Sequence, residues 1–409
     1  MKKVQFIHCA DLHLGSPFVG LQNLPERIYQ EISQAIERSF SRIVDIAIEK
    51  KVDFMIIAGD LYDGEDRNIR AQLYFRKEME RLQAADIPVF IVHGNHDHLG
   101  GSWTKLKWPD NVFVFPEQVE WKQWTTANGT VCHLYGFSYP KAHVKESMIS
   151  HYEKQPGADF HIGILHGHDS RNSEHYQYAP FSTRELLAKG FDYWALGHIH
   201  QREILANDPY IIYPGNIQGR NKKETGRKGC FYVTMTEGKT AVDFIETAPI
   251  VWMKQEIESP LRNFDDLYQA CVEIKDAMKR RGRHSFVEIR IDKELIASSL
   301  DEWVYSDEFL HLLQEGEEGE RIFCWIHSLQ INETIRTTER VSDHFFKEMD
   351  TIIEDLQDLE ESLALLYHHP RAKKFLDPLT KQEEREIIEE AKQMLHRYLQ
   401  GTKGDGHGY

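Results

Sequence analysis

The chain has little of several things, and each shortage narrows what it does. Five cysteines (Cys9, Cys132, Cys230, Cys271 and Cys324) are scattered, odd in number and never spaced Cys-x-x-Cys. That excludes a disulfide framework and a zinc ribbon, and reads as reduced thiols in a reducing compartment. No stretch approaches the roughly 20 apolar residues of a membrane-spanning helix, so no membrane partner is expected. Met1-Lys2-Lys3 leads into a short strand without the apolar run of a signal peptide, and a cytoplasmic location is the expectation. No internal repeat is evident. Positive charge is short too: 49 Lys and Arg face 65 Asp and Glu, a net charge of −16. A protein that binds DNA needs cations against the phosphates. The deficit is an objection to a nucleic-acid function that only local patches or metal ions can answer.

What is present is a globular composition and a surplus of metal-ligand side chains. The 409 residues, 41% hydrophobic and 28% charged, fit a globular protein of two or three domains. Five short segments each follow an apolar, β-branched run. They are Asp11-Leu12-His13 after Val4–Ile7, Gly59-Asp60-Leu61-Tyr62-Asp63 after Phe54–Ile57, and Gly94-Asn95-His96-Asp97 after Val89–Val92. His166-Gly167-His168 follows Ile162–Leu165, and Gly197-His198-Ile199-His200 follows Tyr193–Leu196. Such runs read as interior strands covered on both faces. A strand that stops at Asp, His or Asn delivers that side chain to the edge of its sheet. Five such ends gather carboxylates, imidazoles and an amide without a thiolate. That is the composition of a site for two hard-to-borderline divalent ions.

The chemistry explains the residue types. Two ions about 3.5–4 Å apart can hold the attacking and leaving oxygens of an in-line phosphoryl displacement. The ligand between them should offer two oxygens, and Asp60, flanked by Gly59 and Leu61, is the expected bridge. Asp11 and His13, two residues apart, are expected on one side of an extended backbone, and so are His198 and His200. Asn95 offers a neutral carbonyl oxygen. His96 follows it and points elsewhere, available for acid–base work. Each fragment alone is ordinary: Asp-x-His is common in solvated turns, and Gly-Asn-His-Asp suits a tight turn. Five in this order, each after an apolar strand, carry the reading jointly.

These segments resemble those of the calcineurin-like metallophosphoesterases. Within that family, His8-Cys9-Ala10-Asp11-Leu12-His13-Leu14-Gly15, Gly59-Asp60-Leu61-Tyr62-Asp63, Ala195-Leu196-Gly197-His198-Ile199-His200 and Tyr213-Pro214-Gly215-Asn216 are similar to the SbcD-type DNA repair exonucleases. The resemblance is specific over residues 8–216 and only general beyond about residue 250. It implies one metal held by Asp11, His13, Asp60 and His200, and another held by Asp60, Asn95, His166 and His198. It implies that His96 assists the leaving oxygen while Asp97 orients its ring, and that Asp63 lines the site. His168 competes with His166 for the fourth motif; His166 is preferred because it follows its strand directly. His8, inside the first strand, reads as a non-ligand satisfied by a local hydrogen bond. Asn216 departs from the Ser that relatives often carry after Pro-Gly, and puts no ligand in doubt.

The rest of the chain divides by pattern. Helical spacing between Pro17 and Lys50 (Ile28, Ile32, Ala35, Ile36, Phe40, Ile43, Val44 and Ile48) predicts one crossover helix, and Leu73 to Leu82 a second. Their alternation with strands argues for an α/β layered domain. Cys132–Phe137, Gly229–Met235 and Ala241–Thr247, joined by short turns, are expected in a second sheet packed on the first. The resemblance makes residues 1–249 a four-layer β-sandwich flanked by helices. Over 250–335 alternating strands and helices predict a small α/β unit, which the resemblance makes a cap domain that helps hold DNA. In 336–400, Phe345, Met349, Ile352, Leu356, Leu359, Leu363 and Leu366 form a heptad-like stripe, and Thr380-x-x-Glu383 reads as the capping box of another helix. On pattern alone this is a helix pair docked on its own chain; the resemblance implies docking to an SMC-like coiled-coil ABC ATPase. Residues 401–409 are Gly-rich and expected to be a disordered tail.

Arg220, Lys222, Lys223, Arg227 and Lys228 form the favoured DNA-contacting patch, with Lys279, Arg280, Arg281 and Arg283 as a second. The expectation is a DNA nuclease, an exonuclease first, that uses two divalent ions (Mn2+ by preference) in DNA repair and works with the ATPase. A homodimer is allowed for. A phosphomonoesterase or small-nucleotide phosphodiesterase with the same ions is the alternative. A scaffold with a vestigial site is disfavoured because every ligand position is filled.

Overall fold

A computed structural model describes residues 2–18, 21, 24–63, 68–101, 106–169, 178–332 and 387–388. In chain order its main elements are β1 (Lys3–Cys9), α1 (Glu26–Ser33), α2 (Ala35–Lys50), β2 (Phe54–Ala58), α3 (Ile69–Ala84), β3 (Val89–Val92) and β4 (Val112–Val114). There follow β5 (Glu120–Thr125), β6 (Val131–Gly136), β7 (Phe160–His166), α4 (Thr183–Ala188), β8 (Tyr193–Gly197), β9 (Glu203–Asn207) and β10 (Tyr210–Tyr213). Then come β11 (Gly229–Thr236), β12 (Lys239–Glu246), β13 (Ile250–Ile257), α5 (Phe264–Lys279), β14 (His284–Asp292), α6 (Asp301–Val304), α7 (Asp307–Gln314) and β15 (Cys324–Asn332). Among the described residues no helix is long and apolar enough to cross a membrane.

Two six-stranded sheets face each other, in the orders β12-β11-β1-β2-β3-β4 and β5-β6-β7-β8-β10-β9. The strand period of two sorts β1 between two layers. Val4 and Phe6 join the core between the sheets, with Leu134, Ile162, Ile164 and Ala195 from the second sheet. Ile7 and Cys9 face the other way, onto Phe40, Ile43 and Val44 of α2 and Phe75 and Met79 of α3. β1 to β4 run parallel, which requires crossovers; α1 and α2 supply the one from β1 to β2 and α3 the one from β2 to β3. On the far face of the second sheet, Leu186 of α4 and Phe191 pack with Trp194 and Leu165. The molecule is thus α/β in four layers: helices, sheet, sheet, and a covering of α4 and loops.

Two expectations are corrected. The helical pattern before Lys50 is two helices, broken at Gln34 (φ −108°, ψ −2°). The break lets each serve a different partner: Ile28 and Ile32 of α1 pack on Trp252, Phe286 and Trp325 of the third sheet, while α2 covers the first. The hairpin β11–β12 does not join the second sheet. It extends the first, β11 pairing antiparallel with β1 from Lys3↔Thr236 to His8↔Phe231. Phe231, Val233 and Met235 then point into the same core as Val4 and Phe6.

A third sheet, β13-β14-β15, is wholly parallel. α5, α6 and α7 close one face over Val287, Ile289 and Ile326. The heptad-like stripe from Phe345 to Leu366, the segment around Thr380 and residues 401–409 lie outside the described residues.

Candidate dinuclear metal centre

Parallel strands put their carboxyl ends together, and that edge is where side chains can converge. Here both sheets contribute. Asp11, Asp60 and Asn95 follow β1, β2 and β3 of the first sheet; His166 ends β7, and His198 and His200 follow β8 of the second. The register aligns His166 with Gly197 on the neighbouring strand, which brings the fourth and fifth motifs level.

The paired ligands are not on extended backbone. Asp11 (φ 51°), His13 (φ 47°), Asp60 (φ 50°) and His198 (φ 104°) all have left-handed φ, so the expectation of one-sided extended spacing is corrected. L-residues adopt this region at a cost of about 1–3 kcal/mol each. The surroundings hold them there. Asp11 N and His13 N donate to the carbonyls of Gly59 and Asp60, and the Asp11 carboxylate accepts from His198 N at 3.0 Å. Each kink turns a side chain off its sheet and into the cleft.

Three acceptors meet at one point. His166 Nδ1 lies 3.0 Å from the Ala58 carbonyl, which can only accept, so that nitrogen carries the proton and Nε2 offers a lone pair. Nε2 faces Asn95 Oδ1 at 3.0 Å and Asp60 Oδ2 at 3.3 Å. His198 Nδ1 lies 3.3 Å from the same Asn95 oxygen. Lone pairs converging in a buried cleft require a cation. Burial pulls the pKa of His166 down, but the Asp60 and Asp11 carboxylates outweigh it, and in the metal-free chain it rises to about 9. There a proton takes the place a metal ion would fill.

The second cluster is adjacent. His13 Nε2 and His200 Nε2 face each other at 3.0 Å, and ligand atoms of Asp11, His13 and His200 all lie within 4.8 Å of one another. Burial, reinforced by Arg220, lowers His13 to about 3, so its ring is neutral and able to ligate. Asp60 Oδ2 is 3.9 Å from His13 Nε2, which places this carboxylate between the two clusters. Burial raises the pKa of Asp60, yet His166, His96 and His13 hold it well below the usual carboxylate range. One carboxylate and two imidazoles on one side, and an imidazole pair with an amide on the other, share Asp60. The donors fit two divalent ions without thiolate.

The remaining predicted residues fall as follows. His168 is not among the converging atoms; its ring packs on His198 at 5.9 Å, and it is His166 that stands with Asp11 and Asp60. The residue that faces the His96 ring is Asp63, 3.1 Å from Nδ1. Asp97 instead accepts from Leu61 N and Gly94 N and holds His93 Nδ1 at 2.8 Å. Asp97 therefore shapes the loops while Asp63 orients His96, because the Gly94–Asp97 turn closes the Asp97 carboxylate onto its own backbone. His8 is a buried non-ligand, but its partners, Tyr193 Oη and Leu196 O, lie across the sandwich and not nearby in sequence.

Sequence reasoning missed the structural use of the loop after β10. Lys228 is buried and donates to the His200 carbonyl at 2.6 Å. Arg220 reaches Ser16 at 2.9 Å and Asp63 at 3.5 Å. Glu224, not singled out, accepts from His200 Nδ1 at 2.7 Å. Of the expected DNA patch only Lys222, Lys223 and Arg227 are exposed, and Arg227 pairs with Glu246. In the second patch Lys279 pairs with Glu317. The one available signal was a single acid, Glu224, set among five cations.

The family model described as calcineurin-like phosphoesterase matches residues 4–202, which contain every ligand above. An uncharacterized metallophosphoesterase of Bacillus subtilis (strain 168), YhaO, is 37% identical over 405 residues, 96% of this chain and 97% of its own. This chain belongs to the calcineurin-like phosphoesterases. As a member it is a hydrolase of phosphoester bonds that works with divalent metals. The DNA double-strand break repair protein Mre11 of Sulfurisphaera tokodaii is 28% identical over 239 residues, 55% of this chain and 59% of that protein. The Mre11 of Saccharolobus solfataricus is 28% identical over 61% of this chain and 62% of its own. The chain spans about three fifths of these relatives.

Proposed function

We propose that this phosphoesterase is a DNA nuclease, an exonuclease in its main action, that uses two Mn2+ ions in DNA repair in the cytoplasm and works with an SMC-like coiled-coil ABC ATPase. The observation that carries the chemistry is Asp60, whose one carboxylate lies between His13 and His166. The DNA substrate is supported by the partial likeness to Mre11 proteins. The third sheet following the catalytic sandwich is read as a DNA-holding cap. Bound around Asp60, the ions would neutralise phosphoryl charge and supply an activated nucleophile at neutral pH. Asp11, His13, Asp60 and His200 would hold one; Asp60, Asn95, His166 and His198 would hold the other. With Nδ1 donating to Asp63, Nε2 of His96 is the ring atom that gives a proton to the leaving oxygen. Asp63, gripped by Ser16 Oγ at 2.7 Å, keeps that ring aimed.

The net charge of −16 and the pairing of several expected DNA-contacting cations favour a second reading, a small-nucleotide phosphodiesterase or phosphomonoesterase. Hydrolysis of linear duplex DNA, single-stranded DNA, p-nitrophenyl phosphate and bis-p-nitrophenyl phosphate, compared with Mn2+ present, separates the two. The nuclease reading expects end-dependent loss of linear DNA; turnover of the monoester with intact DNA would favour the second.

A further inference from the structure

The family match ends at residue 202, so nothing in it assigns a role to the loop that follows β10. In that loop Glu224 is a buried carboxylate on which several donors converge. Oε1 accepts from His200 Nδ1 at 2.7 Å and Arg220 Nη2 at 3.4 Å; Oε2 accepts from Asn216 Nδ2 at 2.9 Å and Arg220 N at 2.6 Å. With donors on both of its oxygens the carboxylate acts only as an acceptor, so the His200 proton stays on Nδ1 and the Nε2 lone pair faces His13. The backbone of His200 is fixed as well: Lys228 Nζ and Asn216 N both donate to its carbonyl, at 2.6 and 3.3 Å. The loop itself is tied to the first strand of the third sheet. Trp252 Nε1 donates to Gly219 O at 3.1 Å, Gly226 N to Trp252 O at 2.9 Å, and Gln218 Nε2 to Ile250 O at 2.8 Å.

We propose that Glu224 is a positioning residue of the metal centre: it holds His200 in the Nδ1–H tautomer and aims Nε2 at the ion shared with Asp11, His13 and Asp60. The inference rests on the dinuclear reading above. A metal-ligating imidazole commonly has such a carboxylate behind it, and its loss costs about 10–100-fold in metal affinity. Charge is essential here, not shape. In Glu224→Gln the amide oxygen can serve only one side. The Arg220 backbone N–H cannot reverse and Asn216 Nδ2 is also held by Gln218 O, so the amide NH2 turns to His200. Its tautomer then switches, Nε2 gains the proton, and the ring no longer ligates.

The test uses the full chain and Glu224→Gln, with Mn2+ binding by titration calorimetry and nitrogen NMR of labelled histidine in the metal-free proteins. The expected result is two bound ions in the wild type. In the variant one ion binds as before, the other is weakened about 10–100-fold, and His200 carries its proton on Nε2. Unchanged affinity for both ions in a folded variant overturns the proposal. So does a wild-type His200 whose Nδ1 carries no proton, a result that decides the matter even if the variant does not fold. A wild type that never takes up two ions would instead remove the dinuclear reading itself.

Discussion

Asp60 Oδ2 lies 3.3 Å from His166 Nε2, both residues buried. The same oxygen is 3.9 Å from His13, so one carboxylate serves both clusters. Asp60→Ala should therefore empty both positions, whereas His166→Ala should empty one. Elemental analysis of the two purified variants checks this; two retained ions in Asp60→Ala would show that the bridge is elsewhere.

His96→Ala should keep both ions and lose turnover by about 10²–10⁴-fold, the usual contribution of a general acid. Asp63→Asn should lower turnover through the same ring by a smaller factor. Metal content and single-turnover hydrolysis measured together check the pair. Near-normal hydrolysis by His96→Ala would mean the ring takes no part in the proton transfer.

Gly94 is a steric prediction. A Cβ there would collide with Asp60 Oδ1 and His166 Nε2, one on the carboxylate that the two clusters share and the other the ring nitrogen that faces it. Gly94→Ala should cost metal binding far more than fold, with a native circular dichroism spectrum and little bound Mn2+. Wild-type loading of this variant would place the ions away from Asp60.

The pH dependence follows from His166, raised to about 9 in the metal-free chain. Below that pH the ring is protonated and an incoming ion must displace the proton; above it the ring is already neutral. Apparent metal affinity should therefore rise with pH up to about 9 and then level, with net proton release at pH 7. Calorimetry in buffers of different ionisation enthalpy measures that release, and its absence would put His166 outside the metal shell.

The C-terminal segment carries a prediction from its heptad-like stripe. A chain ending near Glu339 should keep Mn2+-dependent hydrolysis of short DNA, since every ligand precedes residue 201. It should lose association with a coiled-coil ABC ATPase. Capture of the ATPase by a folded, truncated chain would move the docking site elsewhere.

The convergence of these side chains was legible in the sequence because each follows an apolar strand, and strand endings are local. The third sheet's strands and helices were legible by period for the same reason. What was hidden depends on partners distant in the chain. Glu224 acts on His200 through a loop with no periodicity, and the carboxylate behind His96 is Asp63 of another motif, 33 positions earlier in the chain. That β11 pairs with β1 depends on which sheet edge stands open, which an alternating pattern does not encode. The left-handed φ at Asp11, His13, Asp60 and His198 is imposed by hydrogen bonds from neighbouring strands against local preference.

The most direct test of the central claim is anomalous diffraction at the manganese edge from crystals grown with Mn2+. Two peaks about 3.5–4 Å apart are expected, one touching Asp11, His13 and His200, the other touching Asn95, His166 and His198, with Asp60 touching both. A single peak, or two peaks that do not share Asp60, would contradict it.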